Sequence, residues 1–284
     1  MIMKVLVEHR TTYTYGQAVS FSPHVIRLFP RSAPHIRIAS QTLNVSADAN
    51  TMPGLDIYDN IINTVFLPRE TKSFSAETRL VLEIDEFNPF NFLVASHALF
   101  CPFTYQSAES AILSPFLEPQ EAPITLPFFE MPKQPEPTVE TLIAITQAVH
   151  KNIEYERRDE GEARSAHETL KEKRGACRDT AVLMAEYLRQ QKIATRIVSG
   201  YLCEFDVRES KRRAEGSLHA WTEAFIPGAG WLGLDGTNGI LCNENFVPLA
   251  AGLRPQDISP LSGLYYHDSD VESEMKTELN LSLM

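Results

Sequence analysis

Three residues in the second half of the chain are of the types that together make a reactive thiol: Cys177, His219 and Asp235. A thiol is a weak nucleophile until it ionises, and an imidazole within hydrogen-bonding distance can take its proton. A carboxylate bonded to the other ring nitrogen fixes the tautomer and stabilises the imidazolium. If the fold brings them together, these residues predict a catalytic Cys-His-Asp triad that forms a thioester on Cys177.

A helix is predicted to position the cysteine, because Cys177 follows a turn at Gly175 and opens an amphipathic pattern. Apolar residues then recur at helical spacing, at Ala181, Val182, Met184, Ala185 and Leu188. The helix should run to about Gln190, with the thiol in its first turn. Unpaired N–H groups and the helix dipole stabilise an anion there. Taken alone, the cysteine would be read as a small buried hydrophobe.

A hairpin is predicted to carry the other two residues. Apolar and polar positions alternate from Ser217 to Ile226, a glycine-rich turn follows, and a return strand runs from Trp231 to Asp235. A tight symmetric turn would leave His219 and Asp235 a few residues out of register, so we expect a bulge or a diagonal approach. Taken singly, the histidine would be a strand residue with a satisfied partner and the aspartate a turn former.

The segments around these elements are predicted to be mostly helical before the cysteine and extended after it. One face of a helix is marked by Val139, Leu142, Ile143, Thr146, Val149 and Ile153. A second helix should begin at Ser165, since Ser165 and Glu168 fit a capping box. A β-rich run follows from Ile193 to Cys203. The polar segment 204–216 is interpreted as a solvated loop, or as a gate that selects substrate if it folds over the cysteine.

The first half of the chain is predicted to be β-structure. Alternation is clearest from Phe74 to Ile84, and similar short runs occur at Lys4 to Tyr15, Ile36 to Val45 and Ile61 to Leu67. Several short strands with turns between them favour an antiparallel sandwich. No nucleophile–base pair stands out here, so we interpret this region as a scaffold or lid.

Proline-rich sequence separates the two halves, with prolines at 115, 119, 123, 127, 132, 135 and 137. We interpret residues 106–137 as a stiff, irregular linker. A proline-rich recognition ligand is the alternative, although the prolines form no clean repeated motif. The predicted domains are thus a β-rich N-terminal domain at 1–105, the linker at 106–137 and a catalytic core at 138–284.

Composition excludes several classes of function. The 284 residues include 26 Lys+Arg and 37 Asp+Glu, for a net charge of −11, and no basic helix suggests a nucleic-acid partner. The start lacks the apolar core of a signal peptide, and no apolar run could cross a membrane. The four cysteines form no C-x-x-C pair. We therefore expect free thiols in a cytoplasmic protein.

Cofactor and metal motifs are not expected either. His167 and Glu168 lack the second histidine of a zinc-protease helix, and no ligand spacing joins Cys203 or Cys242 to His219. No glycine loop of the phosphate-binding or dinucleotide-binding type occurs. The sequence predicts no metal and no cofactor.

In combination, these motifs resemble the bacterial transglutaminase-like superfamily, whose members are often described as candidate cysteine proteases with a papain-like core. The resemblance covers about residues 138 to 265, and the first hundred residues resemble the β-rich region that often precedes this core. The motifs that carry it in the core are Gly175–Asp179, Gly200–Leu202, His219–Glu223, Gly230–Trp231 and Asp235–Asn238. In the N-terminal region they are Thr11–Tyr15, Arg27–Arg31 and Asp56–Asn60.

The resemblance implies an α+β fold, an N-terminal antiparallel β-sandwich followed by a papain-like/transglutaminase-like core of helices packed on an antiparallel sheet. It makes Cys177 the nucleophile, His219 the general base and then acid, and Asp235 the residue that orients the histidine. The family usually has proline after this aspartate, and Gly236 is expected to loosen the loop. Both tryptophans follow the nucleophile in the sequence, so no indole upstream of the cysteine is available to donate to the oxyanion. The Cys177 N–H is one candidate donor, and Tyr155 is a second, although Tyr155 is more simply a core aromatic.

The implied chemistry leaves the acceptor open. Water acting on the thioester makes a cysteine protease or amidase, and an amine makes a transglutaminase. We favour hydrolysis of peptide or amide bonds, because water wins unless a site excludes it. An acyltransferase with a thioester donor and a catalytically inert binding module are the alternatives. The expected partner is a peptide, protein or amide substrate, not a nucleic acid or a membrane.

Overall fold

The computed structural model describes residues 2–46, 48–158, 161–206, 211–212 and 218–284. The α-helices are α1 (Ser107–Leu117), α2 (Thr138–Asn152), α3 (Ala166–Glu172) and α4 (Cys177–Gln190). The strands are β1 (Met3–Phe21), β2 (His24–Ile26), β3 (Ile36–Val45), β4 (Asn50–Leu55), β5 (Ile61–Phe66), β6 (Thr71–Ile84), β7 (Phe100–Cys101), β8 (Glu136–Pro137), β9 (Glu154–Tyr155), β10 (Arg174–Gly175), β11 (Thr195–Leu202), β12 (Phe205–Asp206), β13 (Lys211–Arg212), β14 (Leu218–Ile226), β15 (Gly230–Asp235), β16 (Ile240–Leu241), β17 (Phe246–Gly252), β18 (Leu261–Ser262), β19 (Tyr265–Tyr266) and β20 (Ser273–Leu283).

Two antiparallel sheets form the N-terminal region. One has the order β19-β1-β6-β3, with β20 also paired to β1, and the other has the order β18-β2-β5-β4. The face predicted for β6 is buried throughout, at Phe74, Ala76, Thr78, Leu80, Leu82 and Ile84. The apolar side chains of this face share one core with Ile26 of β2 and Val65 of β5, so the two sheets pack against each other.

Helices packed on a third sheet form the second region. This antiparallel sheet has the order β16-β15-β14-β11-β17. Ala181 of α4 packs on Ala220 of β14, and the Thr222 hydroxyl donates to the Ala181 carbonyl at 3.0 Å. Leu183 of α4 packs in a second core with Leu142 of α2 and Leu234 of β15. The α+β fold expected from the sequence is confirmed.

The predicted helices of this region are present and their boundaries have local causes. The capping box is formed, because the Ser165 hydroxyl accepts from the Glu168 N–H at 3.2 Å and the Glu168 carboxylate accepts from the Ser165 N–H at 2.9 Å. Helix α4 begins at Cys177 and ends at Gln190. The nucleophile candidate therefore occupies the first helical position, as predicted.

The proline-rich segment is not irregular throughout, since α1 occupies Ser107–Leu117 and includes Pro115 near its end. The chain after it is fastened to α4, because the buried Glu186 carboxylate accepts the N–H groups of Gln120 and Glu121 at 2.8 and 3.1 Å. Residues 106–137 thus run along the helical layer of the core.

The C-terminal strands return to the N-terminal sheets. Strand β20 pairs with β1 from Tyr15 opposite Ser273 to Val5 opposite Leu283. The predicted division into residues 1–105, 106–137 and 138–284 stays a prediction, and this pairing places Ser273–Leu283 in the first of the three sheets. Most of the predicted gating segment, 204–216, lies outside the described residues. None of the described helices has the length and hydropathy of a bilayer-spanning segment.

Candidate active site

The start of α4 is built around Asp179, a fully buried carboxylate two residues after the cysteine. One of its oxygens accepts from the Ala176 N–H at 2.8 Å, which closes the first turn of the helix. The other accepts from Arg158 Nη2 at 3.1 Å and from the Arg164 N–H at 2.8 Å. These bonds fix the loop that precedes the helix and so fix where Cys177 is presented.

The Cys177 thiol is partly buried and lies against His219 on the neighbouring strand. It hydrogen-bonds with the imidazole of His219 and with the backbone N–H of Ala220. Burial alone would raise the pKa of the Cys177 thiol, but the hydrogen bond and the positive charge of His219 outweigh burial and lower it. The environment therefore favours the thiolate.

His219 and Asp235 are joined directly, with Nε2 donating to Oδ2 at 2.8 Å. Thr222 is paired with Leu234, so continuation of this register sets Asp235 opposite Trp221, two positions from the histidine. The two side chains thus meet diagonally on one face of the sheet, which is one of the two arrangements, a bulge or a diagonal approach, that the sequence left open. The bond to Nε2 leaves Nδ1 as the ring nitrogen that faces the thiol.

The charge balance of this pair favours the imidazolium. Burial alone would lower the pKa of His219, but its hydrogen bonds to Asp235 and Cys177 raise the pKa to about 10. Burial likewise acts to raise the pKa of Asp235, and the hydrogen bond and charge of His219 reverse this and lower it. The Cys177 thiolate and the Asp235 carboxylate thus stabilise the His219 imidazolium that lies between them, and it stabilises both of them in turn.

Residues of the turn after Asp235 hold its carboxylate. The Thr237 N–H donates to Oδ1 at 2.9 Å, and Asn238 Nδ2 donates to Oδ2 at 2.6 Å, the same oxygen that accepts from His219. Sequence reasoning did not assign Asn238 a role. The signal was available in the Asp-x-x-Asn spacing, because aspartate in a turn accepts from residues two and three positions on.

Two helices fasten this turn from outside. His150 Nδ1 of α2 lies 2.7 Å from the Thr237 carbonyl, and the Thr180 hydroxyl of α4 lies 3.0 Å from the Thr237 hydroxyl. A Cβ at Gly236 would overlap Met184 Sδ of α4. The expectation that glycine loosens the loop is wrong, since Gly236 instead lets the turn approach α4 closely.

Aromatic side chains cover the histidine. The rings of His219 and Trp221 are stacked with centroids 6.4 Å apart, and Phe246 lies 6.0 Å from His219 and 5.3 Å from Trp221. Trp221 lies two residues after His219, so the alternation of β14 puts both on one face. Exclusion of water by these rings strengthens the His219–Asp235 hydrogen bond.

Tyr155 is placed close to the nucleophile in an exposed position. Strand β9 pairs in parallel with β10, which sets Tyr155 opposite Gly175, two residues before Cys177. Its side chain is 55% exposed, so the interpretation of Tyr155 as a core aromatic is wrong. Its role as an oxyanion donor stays a prediction.

Two further cysteines provide a contrast within the molecule. Cys203 is fully buried and burial raises its thiol pKa to about 12, while burial also raises the pKa of Cys242. Among the residues that the structure describes, neither of these two thiols has the imidazole partner that Cys177 has. Within the described part of the chain, no group of three His, Cys, Asp or Glu side chains is arranged to hold a metal ion.

Comparison with known families agrees with this architecture. Residues 129–236 match the transglutaminase-like superfamily, and residues 5–83 match the bacterial transglutaminase-like N-terminal region. The chain carries a transglutaminase-like core behind a bacterial transglutaminase-like N-terminal region. The first match includes Cys177, His219 and Asp235 and ends one residue after the aspartate. The resemblance seen in the sequence motifs is thereby confirmed.

Relatives match nearly the whole chain. An uncharacterized protein of Mycobacterium leprae is 22% identical over 262 residues, which is 92% of this chain and 93% of the relative. An uncharacterized protein of Mycobacterium bovis is 26% identical over 278 residues, 93% and 88% of the two chains. The crystal structure of a candidate cysteine protease from Cytophaga hutchinsonii superposes with a TM-score of 0.70 at 18% identity, covering 100% of this chain and 98% of that one. This similarity supports the fold of both regions of the transglutaminase-like chain.

Proposed function

We propose that this transglutaminase-like protein is a thiol-dependent acyl-transfer enzyme that cleaves peptide or amide bonds through a thioester on Cys177. The observation that carries the proposal is the continuous chain of contacts from the Cys177 thiol through His219 to Asp235. The lowered pKa of the thiol and the raised pKa of the imidazole supply the ion pair that such chemistry uses.

In the acylation step, the Cys177 thiolate attacks the carbonyl carbon and forms a C–S bond, and the carbonyl oxygen becomes an oxyanion. The Cys177 backbone N–H at the start of α4 is one donor for that oxyanion, and the Tyr155 hydroxyl is the candidate for a second. The tetrahedral intermediate then expels the amine, which takes its proton from the His219 imidazolium. A thioester and a neutral imidazole remain.

In the second step, His219 accepts a proton from water as the water oxygen attacks the thioester. The C–S bond breaks, the carboxylic acid leaves, and the thiolate–imidazolium pair is restored. Asp235 stays ionised throughout and holds the Nε2–H of His219. If an amine replaces water in this step, the product is a new amide, and the same residues perform a transglutaminase reaction.

Trapping the acyl-enzyme tests the proposal. The protein is mixed with a library of peptides and small amides, with and without added amines, and intact mass identifies adducts on Cys177. We expect adducts that decay to free acid in water, and their absence from Cys177→Ala. Decay only in the presence of amines would favour the transglutaminase, and no adduct from any substrate would favour an inert binding module.

Alkylation by iodoacetamide tests the ion pair without a substrate. A thiol that reacts with a pH midpoint below the ordinary cysteine value of about 8.5 is expected. His219→Ala should make this labelling slow. Unchanged labelling kinetics in that variant would mean that the thiol and the imidazole are not coupled.

A further inference from the structure

A second concave site lies at the seam between the N-terminal region and the core. It is a cavity of about 400 Å³ between the loops at 31–35 and 87–92 and the face of the core sheet that points away from α4. Small-molecule pockets commonly measure about 300–1,000 Å³. Cys177, His219 and Asp235 are not among its lining residues. The mechanism above therefore does not use this cavity.

Aromatic side chains line the cavity from both the core sheet and the N-terminal region. Trp221, Trp231 and Phe246 line it from the core sheet, and Phe87 and Phe92 line it from the N-terminal side. Rings on two opposite sides of a cleft are suited to hold a flat apolar group between them, because offset stacking and edge-to-face contacts add to apolar burial. The wall therefore favours a ligand that carries an aromatic ring.

The charged side chains in the wall are Arg31, Arg196 and Glu223, and the two arginines differ in how many of their hydrogen-bond donors are already used. Arg196 lies over the Trp231 ring at 4.2 Å, and its Nε and Nη2 each lie 2.6 Å from Glu223 Oε2. This guanidinium already has its anion and its aromatic contact. A ligand anion gains little by competing for Arg196.

Arg31 differs, because only one end of its guanidinium is used. Nη1 donates to the Tyr58 carbonyl at 2.8 Å and to the Asn60 amide oxygen, which anchors the side chain. The Nε and Nη2 edge of Arg31 makes no hydrogen bond with the residues that the structure describes. This is the edge of a guanidinium that binds a carboxylate through two parallel hydrogen bonds. Arg31 lines the same cavity as the two tryptophans.

We propose that this cavity is a binding site for a small aromatic carboxylate, with the ring between the aromatic walls and the carboxylate on the open edge of Arg31. The proposal does not rest on the acyl-transfer function, since none of the triad residues lines the cavity. Trp221 forms part of its wall and also stacks on His219, so the two sites share one side chain.

Intrinsic fluorescence gives a direct test, because Trp221 and Trp231 are the two tryptophans of the chain and both line the cavity. The full chain and its Cys177→Ala variant are titrated with 3-phenylpropionate and with N-acetylphenylalanine. We expect a saturable change in emission and a rise in melting temperature in both proteins. The neutral 3-phenylpropionamide should bind at least about tenfold more weakly, because it lacks the charge-assisted pair.

Matched variants locate the binding. Ser32 is exposed at the rim, so Ser32→Phe should block the cavity without affecting folding. Arg31→Lys should weaken the acids about tenfold, whereas Arg37→Lys, on the exposed outer strand β3, should not. Unchanged emission with both acids, equal binding of acid and amide, or undiminished binding to Ser32→Phe would overturn the proposal.

Discussion

The chain buries one histidine at the seam between its N-terminal sheets and the core and another at the candidate active site, and burial has opposite outcomes at the two places. His9 is fully buried with Nδ1 3.0 Å from the Tyr201 hydroxyl and Nε2 3.3 Å from the Thr11 hydroxyl. Desolvation lowers its pKa to about 4. His219 is also buried, yet its pKa is raised to about 10.

The difference teaches that the charge of the partner decides the state of a buried imidazole. Hydroxyl groups hydrogen-bond the neutral ring of His9 but cannot offset the cost of desolvating its cation. Asp235 and the Cys177 thiolate offset that cost for His219. One histidine is therefore a neutral structural residue that joins β1 to β11, and the other is poised to hold a proton beside a thiol.

The largest effect is expected from a substitution at Asp235, the charged partner of His219. Asp235→Asn keeps the shape of the side chain but removes the charge that stabilises the His219 imidazolium, so the pKa of His219 should fall and that of Cys177 should rise. The midpoint of iodoacetamide alkylation should move to higher pH, toward about 8.5. Turnover of any substrate found by acyl-enzyme trapping should drop about 10⁴-fold.

The matched control for that variant is Asp85→Asn, which removes an exposed carboxylate paired with Arg37 at 2.9 Å. Its alkylation profile should coincide with that of the parent protein. If Asp235→Asn also leaves the alkylation midpoint unmoved, Asp235 does not support the ion pair, and the contrast between the two histidines loses its explanation.

The second-largest effect is expected at His9, the buried histidine that stays neutral. Its folded pKa of about 4 lies below the ordinary value of 6.5, so the unfolded chain binds the proton more readily. The stability that this gives is complete above pH 6.5 and is lost as pH falls toward 4. In full it amounts to about 3 kcal/mol. By the same linkage His219 contributes in the other direction, with stability present below its unfolded pKa and lost as pH rises toward about 10.

Urea unfolding of His9→Gln against the parent protein at about pH 7.5 and about pH 5 isolates this contribution. Glutamine can still hydrogen-bond the Tyr201 and Thr11 hydroxyls but does not titrate. The variant should lose about 2 kcal/mol less than the parent between the two pH values. His267→Gln, at an exposed site, should follow the parent. Equal acid losses in His9→Gln and the parent would contradict a neutral, buried His9.

Much of this comparison could be predicted from local sequence patterns. The alternation of β14, the glycine turn and the length of β15 were enough to predict that His219 and Asp235 lie near each other on neighbouring strands, through a bulge or a diagonal approach, because register follows from turn length and side-chain period. The start of α4 at Cys177 and the capping box at Ser165 were equally local. These features depend on residues within a few positions of each other.

Features that depend on distant contacts could not be predicted in this way. The pairing of β20 with β1 joins opposite ends of the chain, and no local pattern in Ser273–Leu283 indicates which strand it pairs with. Seven prolines made residues 106–137 look irregular, but only Pro115 lies inside α1, and one proline near the end of a helix removes little hydrogen bonding. Gly236 looked like a source of flexibility because only the packed fold shows Met184 against it.

The third-largest effect is expected at Asn238, one of the residues that donate a hydrogen bond to the Asp235 carboxylate. Asn238→Ala deletes the amide that donates to Asp235 Oδ2 at 2.6 Å. A hydrogen bond to a charged group contributes roughly 1.5–3 kcal/mol, so alkylation of Cys177 near neutral pH should slow by about tenfold. The effect should be smaller than that of Asp235→Asn because the carboxylate itself remains.

The control for Asn238 is Asn152→Ala, on the exposed end of α2, where the side chain donates to the Ala148 carbonyl at 2.8 Å. It removes the same amide without touching the triad, and alkylation should keep the parent rate. If Asn238→Ala also kept that rate, the Thr237 N–H and the His219 imidazole would be enough to hold Asp235.

The smallest expected effect comes from the outer fastening of the same turn. Thr180→Val is nearly isosteric and removes the hydroxyl that lies 3.0 Å from the Thr237 hydroxyl and donates to the Cys177 carbonyl at 2.9 Å. A neutral hydrogen bond contributes about 0.5–1.5 kcal/mol, and His150 still holds the Thr237 carbonyl, so alkylation should slow only about threefold. Measured beside Asn238→Ala, this variant ranks the supports of Asp235. A larger loss in Thr180→Val than in Asn238→Ala would mean that the two contacts of the Thr180 hydroxyl, with Thr237 and with the Cys177 carbonyl, together support the ion pair more than the Asn238 amide does.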